Sequence, residues 1–145
     1  MFLGRYEHTI DEKGRMTIPA RFRELLENGA FITLGFDQNL MVLTADRFER
    51  MHDRLKKLSV TDPLARQLMR HIFGNAEQIE VDKAGRILIP AFFRENNQFE
   101  GSVVVVGVGD YFEIWAPGGW NVQKSQMESE ENNTARFTAL NLSIE

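Results

Sequence analysis

The stretch from Asp11 to Glu24, DEKGRMTIPARFRE, is written again from Asp82 to Glu95 as DKAGRILIPAFFRE. The copies lie 71 residues apart and share nine of fourteen positions. A repeat of that length within one chain marks two copies of one supersecondary unit. The retained positions divide by chemistry. Ile18/Ile89, Pro19/Pro90, Ala20/Ala91 and Phe22/Phe93 are residues that build a fold. Asp11/Asp82 and Arg15/Arg86 are charged, flank a glycine-containing turn and contribute no apolar surface. Charged loops presented twice suggest recognition of something that itself repeats.

The order of elements follows from punctuation and periodicity. Tyr6–Ile10 and Arg15–Ile18 read as short strands around the turn Asp11–Gly14, whose last residue suits a left-handed backbone position. Pro19 pre-sets a helix carrying Phe22, Leu25 and Leu26, and Asn28-Gly29 stops it. Phe31–Leu34 and Leu40–Leu43 are strands about a turn at 35–39. The second copy runs in parallel: Ile79–Val81, the turn Asp82–Gly85, Arg86–Ile89, a helix after Pro90, then Val103–Val106 and Tyr111–Trp115. There Asn96 and Asn97 replace Leu25 and Leu26, which predicts that the second helix ends sooner. Between the copies two helices are expected. Asp46 caps the first, with Phe48, Met51, Leu55 and Leu58 on one face. Thr61-Asp62-Pro63 starts the second, with Leu64, Leu68, Ile72 and Phe73 inward. The organisation is therefore a first repeat at 5–47, a helical linker at 48–75, a second repeat at 76–119 and a polar acidic tail at 120–145, mostly without structure.

Composition removes several classes of function. The chain has no cysteine, so neither disulfides nor thiolate metal sites are available. The apolar run Val103–Val108 is too short to span a bilayer, and the N-terminus lacks a leader-like basic and apolar sequence. A cytoplasmic protein is expected. His8, His52 and His71 have no metal-ligand spacing. Gly107-Val-Gly109 lacks the third glycine and following helix of a dinucleotide loop and reads as a hairpin turn. Each repeated aspartate has its own arginine four residues on, which keeps it ionised and unfit as a general acid. No enzyme, cofactor or metal is expected, and no small-molecule substrate.

The net charge of −4 argues against a broad cationic field. Residues 46–73, with seven basic and four acidic groups, are the one positive segment, while 74–120 carry three and seven. Any nucleic-acid contact must come from a few placed arginines. In the Asp-Xaa-Xaa-Gly-Arg turns the aspartate can cap the loop and pair with arginine, which alone accounts for a stable turn. Retention of the arginine in both copies exceeds what an exposed pair, worth ~0–1 kcal/mol, requires. The alternative is that Asp orients a guanidinium whose fork binds phosphate or a guanine edge. On the residues alone the two readings are evenly matched.

Phe2, Tyr6–Asp11, Lys13-Gly-Arg15, Ile18-Pro-Ala20 and Phe22-Arg23 resemble the opening of MraZ-family proteins. Asp82–Pro90, Val106–Gly109 and Glu113-Ile-Trp115 resemble the second half of the family. The resemblance covers residues 1 to about 120. It implies an α+β fold, a duplicated swapped-hairpin AbrB-like (double-split β-barrel) core of SpoVT-AbrB type with two linker helices. It implies ring-like homo-oligomers and a nucleoid-associated regulator of transcription that binds short direct repeats in double-stranded DNA. Such a protein represses the division and cell-wall gene cluster containing its own gene. The family's Asp-Xaa-Xaa-Xaa-Arg motif falls on Asp11/Arg15 and Asp82/Arg86, with Lys13 and Lys83 beside them as further DNA-binding candidates. Pro117-Gly-Gly119 departs from the family's charged helix start. Two other classes remain: an antitoxin-like module whose acidic tail wraps a toxin, and an oligomer without a nucleic-acid role.

Overall fold

The computed structural model describes residues 1–129 and 133–144. The first copy contributes β1 (Arg5–Thr9), β2 (Arg15–Thr17), α1 (Ala20–Leu25), β3 (Ala30–Leu34), β4 (Leu40–Thr44), α2 (Ala45–Leu55) and α3 (Pro63–Ile72). The second contributes β5 (Glu77–Ile79), β6 (Arg86–Leu88), α4 (Ala91–Asn96), β7 (Ser102–Gly107), β8 (Tyr111–Trp115), α5 (Pro117–Met127) and α6 (Asn133–Thr138). The result is a mixed α+β protein of antiparallel sheets and short helices.

The two copies are interleaved. A six-stranded sheet runs β1-β7-β8-β4-β3-β5, and a two-stranded ribbon pairs β2 with β6. β1 of the first copy pairs with β7 of the second, from Arg5↔Val106 to Thr9↔Ser102. Reciprocally, β5 of the second pairs with β3 of the first, through Ala30↔Ile79. Exchanging the copies maps the sheet order onto itself. The pseudo-two-fold axis passes between the equivalent residues Met41 and Glu113, opposite each other in β4–β8, and between Met16 and Ile87 in the ribbon. One core lies on that axis: Met16, Ile18, Phe22, Ile87, Ile89, Phe93, Phe112 and Ile114 belong to a single buried cluster. Neither copy could bury these residues by itself.

Several local expectations change. The second helix is as long as the first, six residues each. Asn97 sits where Leu26 does and is as buried, 3% against 2% exposed. Its Nδ2 donates to the Phe93 carbonyl at 2.8 Å, so the amide replaces an apolar plug with a bond to its own helix. Thr44, not Asp46, caps α2, its hydroxyl accepting from the Arg47 N–H. Asp46 lies in the first turn and pairs with Arg50. Within the expected start Thr61-Asp62-Pro63, Asp62 is the cap of α3, accepting from Leu64 N–H. The inward face of α3 is Ala65 and Ile72, and Leu64 is 71% exposed. The Phe48 ring of α2 stacks on Phe31 at 4.3 Å. Pairing with β3 sets β5 at Glu77–Ile79, two residues before the expected strand.

The segment expected to be a polar tail from 120 onward opens inside a helix, Pro117–Met127. α5 follows β8 as α2 follows β4, eleven residues each and 72 apart. Trp120 packs edge-on against Trp115 at 5.5 Å and, with Val104, closes a second small core, with Met127 packed against it. Beyond it, Phe137, Leu140, Leu142 and Ile144 are exposed.

Candidate nucleic-acid interface

Both repeated loops adopt one closed geometry. Asp11 Oδ1 accepts from the Lys13 and Arg15 backbone N–H groups at 2.9 Å each, and Oδ2 accepts from Arg15 Nε at 2.8 Å. In the second copy Asp82 Oδ1 accepts from Ala84 and Arg86 N–H at 2.9 Å, and Oδ2 from Arg86 Nε at 3.0 Å. Gly14 and Gly85 take φ of +83° and +76°, a region costly for any residue with a Cβ. Each carboxylate thus does two jobs: it closes the turn and holds its arginine by one edge. Nε is the bonded atom, so among the described residues the two terminal nitrogens remain for an outside acceptor.

Bonding holds both carboxyls below their ordinary 3.8. The largest cause is the N–H of Arg15 donating to Asp11, and of Arg86 donating to Asp82; the arginine side chains act in the same sense. A depressed folded-state value means the loop's stabilisation is fully present above the ordinary value and is lost only as pH falls through the folded one. The loops therefore stay closed across the neutral range. DNA affinity is expected to show no acid transition from them between about pH 5 and 8, a window well above any ordinary aspartate; anisotropy titrations across that window check it. Asp11→Ala should weaken DNA binding although it removes a negative charge, because the turn and the aim of Arg15 are lost together. Tighter binding by that variant in the same assay would reduce the carboxylate to an electrostatic brake.

The ribbon brings the two arginines together. Arg15 pairs with Leu88 and Arg86 with Thr17, while Met16 and Ile87 point into the core. Side chains alternate along a strand, so Arg15, Thr17, Arg86 and Leu88 share the outer face. Arg15 and Arg86 are diagonal neighbours, about 7–8 Å apart. That separation equals roughly two base-pair steps at ~3.4 Å each. A two-stranded antiparallel ribbon also has the width that a DNA major groove admits. The loops are therefore two halves of one head rather than two separate contacts.

Lys13 and Lys83 are exposed beside the arginines but are not equivalent. Lys13 occupies the third loop position, where the second copy has Ala84, and Lys83 the second, where the first has Glu12. The head is thus two-fold in backbone and asymmetric in charge. Sequence reasoning passed over Arg23 and Arg94, although both are among the nine repeated positions. Arg23 Nε donates to the Ile18 carbonyl at 3.3 Å and Arg94 Nε to Ile89 at 3.0 Å. The histidines remain apart. Burial, then nearby Arg23, lowers the His8 pKa, and His71 bonds the Gly35 carbonyl. Gly107–Asp110 is the β7–β8 hairpin turn. Among the described residues no three His, Cys, Asp or Glu side chains gather closely enough to hold a metal ion, and no helix is long and apolar enough to cross a membrane.

A family model described as "MraZ protein, putative antitoxin-like" matches residues 1–71 and again 72–142. The chain belongs to the MraZ family. It is 43% identical over 139 residues to the "Transcriptional regulator MraZ" of Roseiflexus sp. (strain RS-1), covering 96% of this chain and 97% of that protein. The protein of that name from Thermomicrobium roseum is 40% identical over 139 residues, covering 96% and 98%. That of Desulfitobacterium hafniense is 41% identical over 144, covering 99% and 100%. MraZ proteins are transcriptional regulators rather than enzymes. The first family match takes in α1, α2 and nearly all of α3, and the second takes in α4, α5 and α6, in keeping with the equivalence of α2 and α5.

Proposed function

We propose that this MraZ-family chain is a sequence-specific regulator of transcription that docks the β2–β6 ribbon in the major groove of double-stranded DNA. The observation that carries the reading is the shared outer face of Arg15 and Arg86, each held by its aspartate through Nε, with its two terminal nitrogens unbonded among the described residues. Arg15 and Arg86 read base edges or phosphates, and Lys13 and Lys83 add backbone contacts. The interleaved strands fit the swapped-hairpin, AbrB-like core that the resemblance implies. Its cellular place is then the cytoplasm, on the nucleoid. Its targets are short direct repeats upstream of the division and cell-wall cluster that includes its own gene, where it represses.

One head per subunit reads one site, so a row of repeats calls for several subunits. A ring-like homo-oligomer supplies them, and weak contacts then add through effective concentration. A gel-shift with the chain's own upstream region at moderate salt tests the reading. Retardation of that duplex but not of a scrambled one is expected, and equal affinity for both would overturn specific recognition. Deleting residues after Ser129 should leave assembly and DNA binding intact, since this cut spares α5 and its Trp115–Trp120 contact. Light scattering without DNA checks it, and a monomer would place α6 at the subunit contact.

A second reading as an antitoxin-like module draws on the exposed Phe137, Leu140, Leu142 and Ile144 in an acidic segment. A small basic protein copurifying with the full chain, and lost on deletion after Ser129, would favour it.

A further inference from the structure

Each Asp-Xaa-Xaa-Gly-Arg loop is braced by the other copy. The Gly85 carbonyl accepts from the Ile18 N–H at 3.1 Å, and the Gly14 carbonyl accepts from the Ile89 N–H at 2.7 Å. Over those same glycines lie the guanidiniums of Arg23 and Arg94. A methyl group placed on Gly85 would meet Arg23 Cζ and Nε, and would lie 2.6 Å from Nη1. One placed on Gly14 would lie 3.0 Å from Arg94 Cζ and Nε. The glycine therefore does more than permit a positive φ: its bare α-carbon is the surface on which the partner copy's guanidinium lies. Among the described residues neither arginine has a carboxylate within ion-pair distance. Each is held by shape and by its Nε bond to the carbonyl of Ile18 or Ile89, whose own N–H holds the opposite glycine. Only a planar guanidinium can lie flat on a peptide while donating sideways; an ammonium cannot.

We propose that Arg23 and Arg94 are positioning residues for DNA recognition, and that they act crosswise. Arg23 of the first copy sets Arg86 of the second, and Arg94 of the second sets Arg15 of the first. The brace fixes the spacing of the two reading arginines, which decides whether both engage neighbouring base pairs at once. This rests on the reading of Arg15 and Arg86 as the DNA contacts.

The test is a pair of double-mutant cycles on the full-length protein, read by anisotropy with the specific duplex and with a scrambled one. Arg23→Lys should weaken specific binding about tenfold, within the range for residues coupled through one contact network. The same change should add little in an Arg86→Ala background and its full effect in an Arg15→Ala background. Arg94→Lys should show the opposite pattern. Affinity for the scrambled duplex and its salt slope should not move. Equal losses in both backgrounds would overturn the brace, and a salt slope reduced by about one in an Arg23→Ala protein would make Arg23 a phosphate contact instead. An unchanged specific affinity would overturn it as well. Amide spectra without DNA give an independent readout: Arg23→Lys should shift Gly85 and Arg86 and spare Gly14 and Arg15, and the reverse pattern sinks the crosswise assignment. If Arg15→Ala and Arg86→Ala themselves bind like wild type, the underlying DNA reading has failed rather than the brace.

Discussion

Arg15→Ala and Arg86→Ala should each weaken specific DNA binding about 5- to 150-fold, the ~1–3 kcal/mol of a lost bidentate contact. The double variant should bind specific DNA no better than a scrambled duplex. The size of the effect follows from preorganisation. Each guanidinium is held by its Nε to a carboxylate whose other oxygen closes the turn, so little side-chain freedom is lost on binding. Truncation also leaves Asp11 or Asp82 facing phosphate without its partner. The fold should be unaffected, because both arginines lie on the outer face of the ribbon and fill no core. The pair shares one face of one subunit, so the double change removes the whole head; in the ring-like oligomer proposed above, the loss would recur at every repeat. A gel-shift at moderate salt with thermal melts in parallel measures both. Single variants that bind like wild type would move the site elsewhere.

Phe22→Ala and Phe93→Ala should each cost about 3–5 kcal/mol of stability. Both rings are 1% exposed and belong to the one core that the copies share. Phe22 of the first copy meets Phe112 of the second at 5.1 Å, as well as Phe2 at 5.0 Å edge-on and Tyr6 at 5.5 Å. Each such aromatic pair is worth a further ~0.5–1.5 kcal/mol beyond the area it buries. Among the described residues Phe93 has a single ring neighbour, Phe92, at 5.5 Å. Phe22→Ala is therefore expected at the upper end and Phe93→Ala at the lower. For a chain of this size the melting temperature should fall by roughly 10–15 °C in each case. The transition should stay single, since loss in one copy undermines the other. Two separated transitions would mean that the copies fold independently, against the interleaved pairing.

Local chemistry was legible in the residues. The spacing of Asp11, Gly14 and Arg15 encodes a self-closing turn, because every bond in it spans at most four residues. Pro19, Asn28-Gly29 and Asp62-Pro63 mark helix limits for equally local reasons. Reading α5 as unstructured failed because its apolar content is sparse. Trp120 is buried in a cluster with Trp115 and Val104, which come from strands, and lies under the Arg5 guanidinium. Asn97 misled in the same way, since its buried amide is tolerable only with the Phe93 carbonyl beside it.

The sequence by itself determined that there are two copies of one unit, where each turns, and which residues in each are core or charged. Only the tertiary structure decided that β1 would pair with β7 and β5 with β3. That pairing puts the two loops at opposite ends of one ribbon and lays Arg23 over Gly85 and Arg94 over Gly14. The reason is that the copies carry nearly the same strand patterns. Pairing within a copy and pairing across copies look equally favourable to periodicity. Burial of Met16 and Ile87 side by side on the pseudo-two-fold axis, available only when the copies interleave, selects the second.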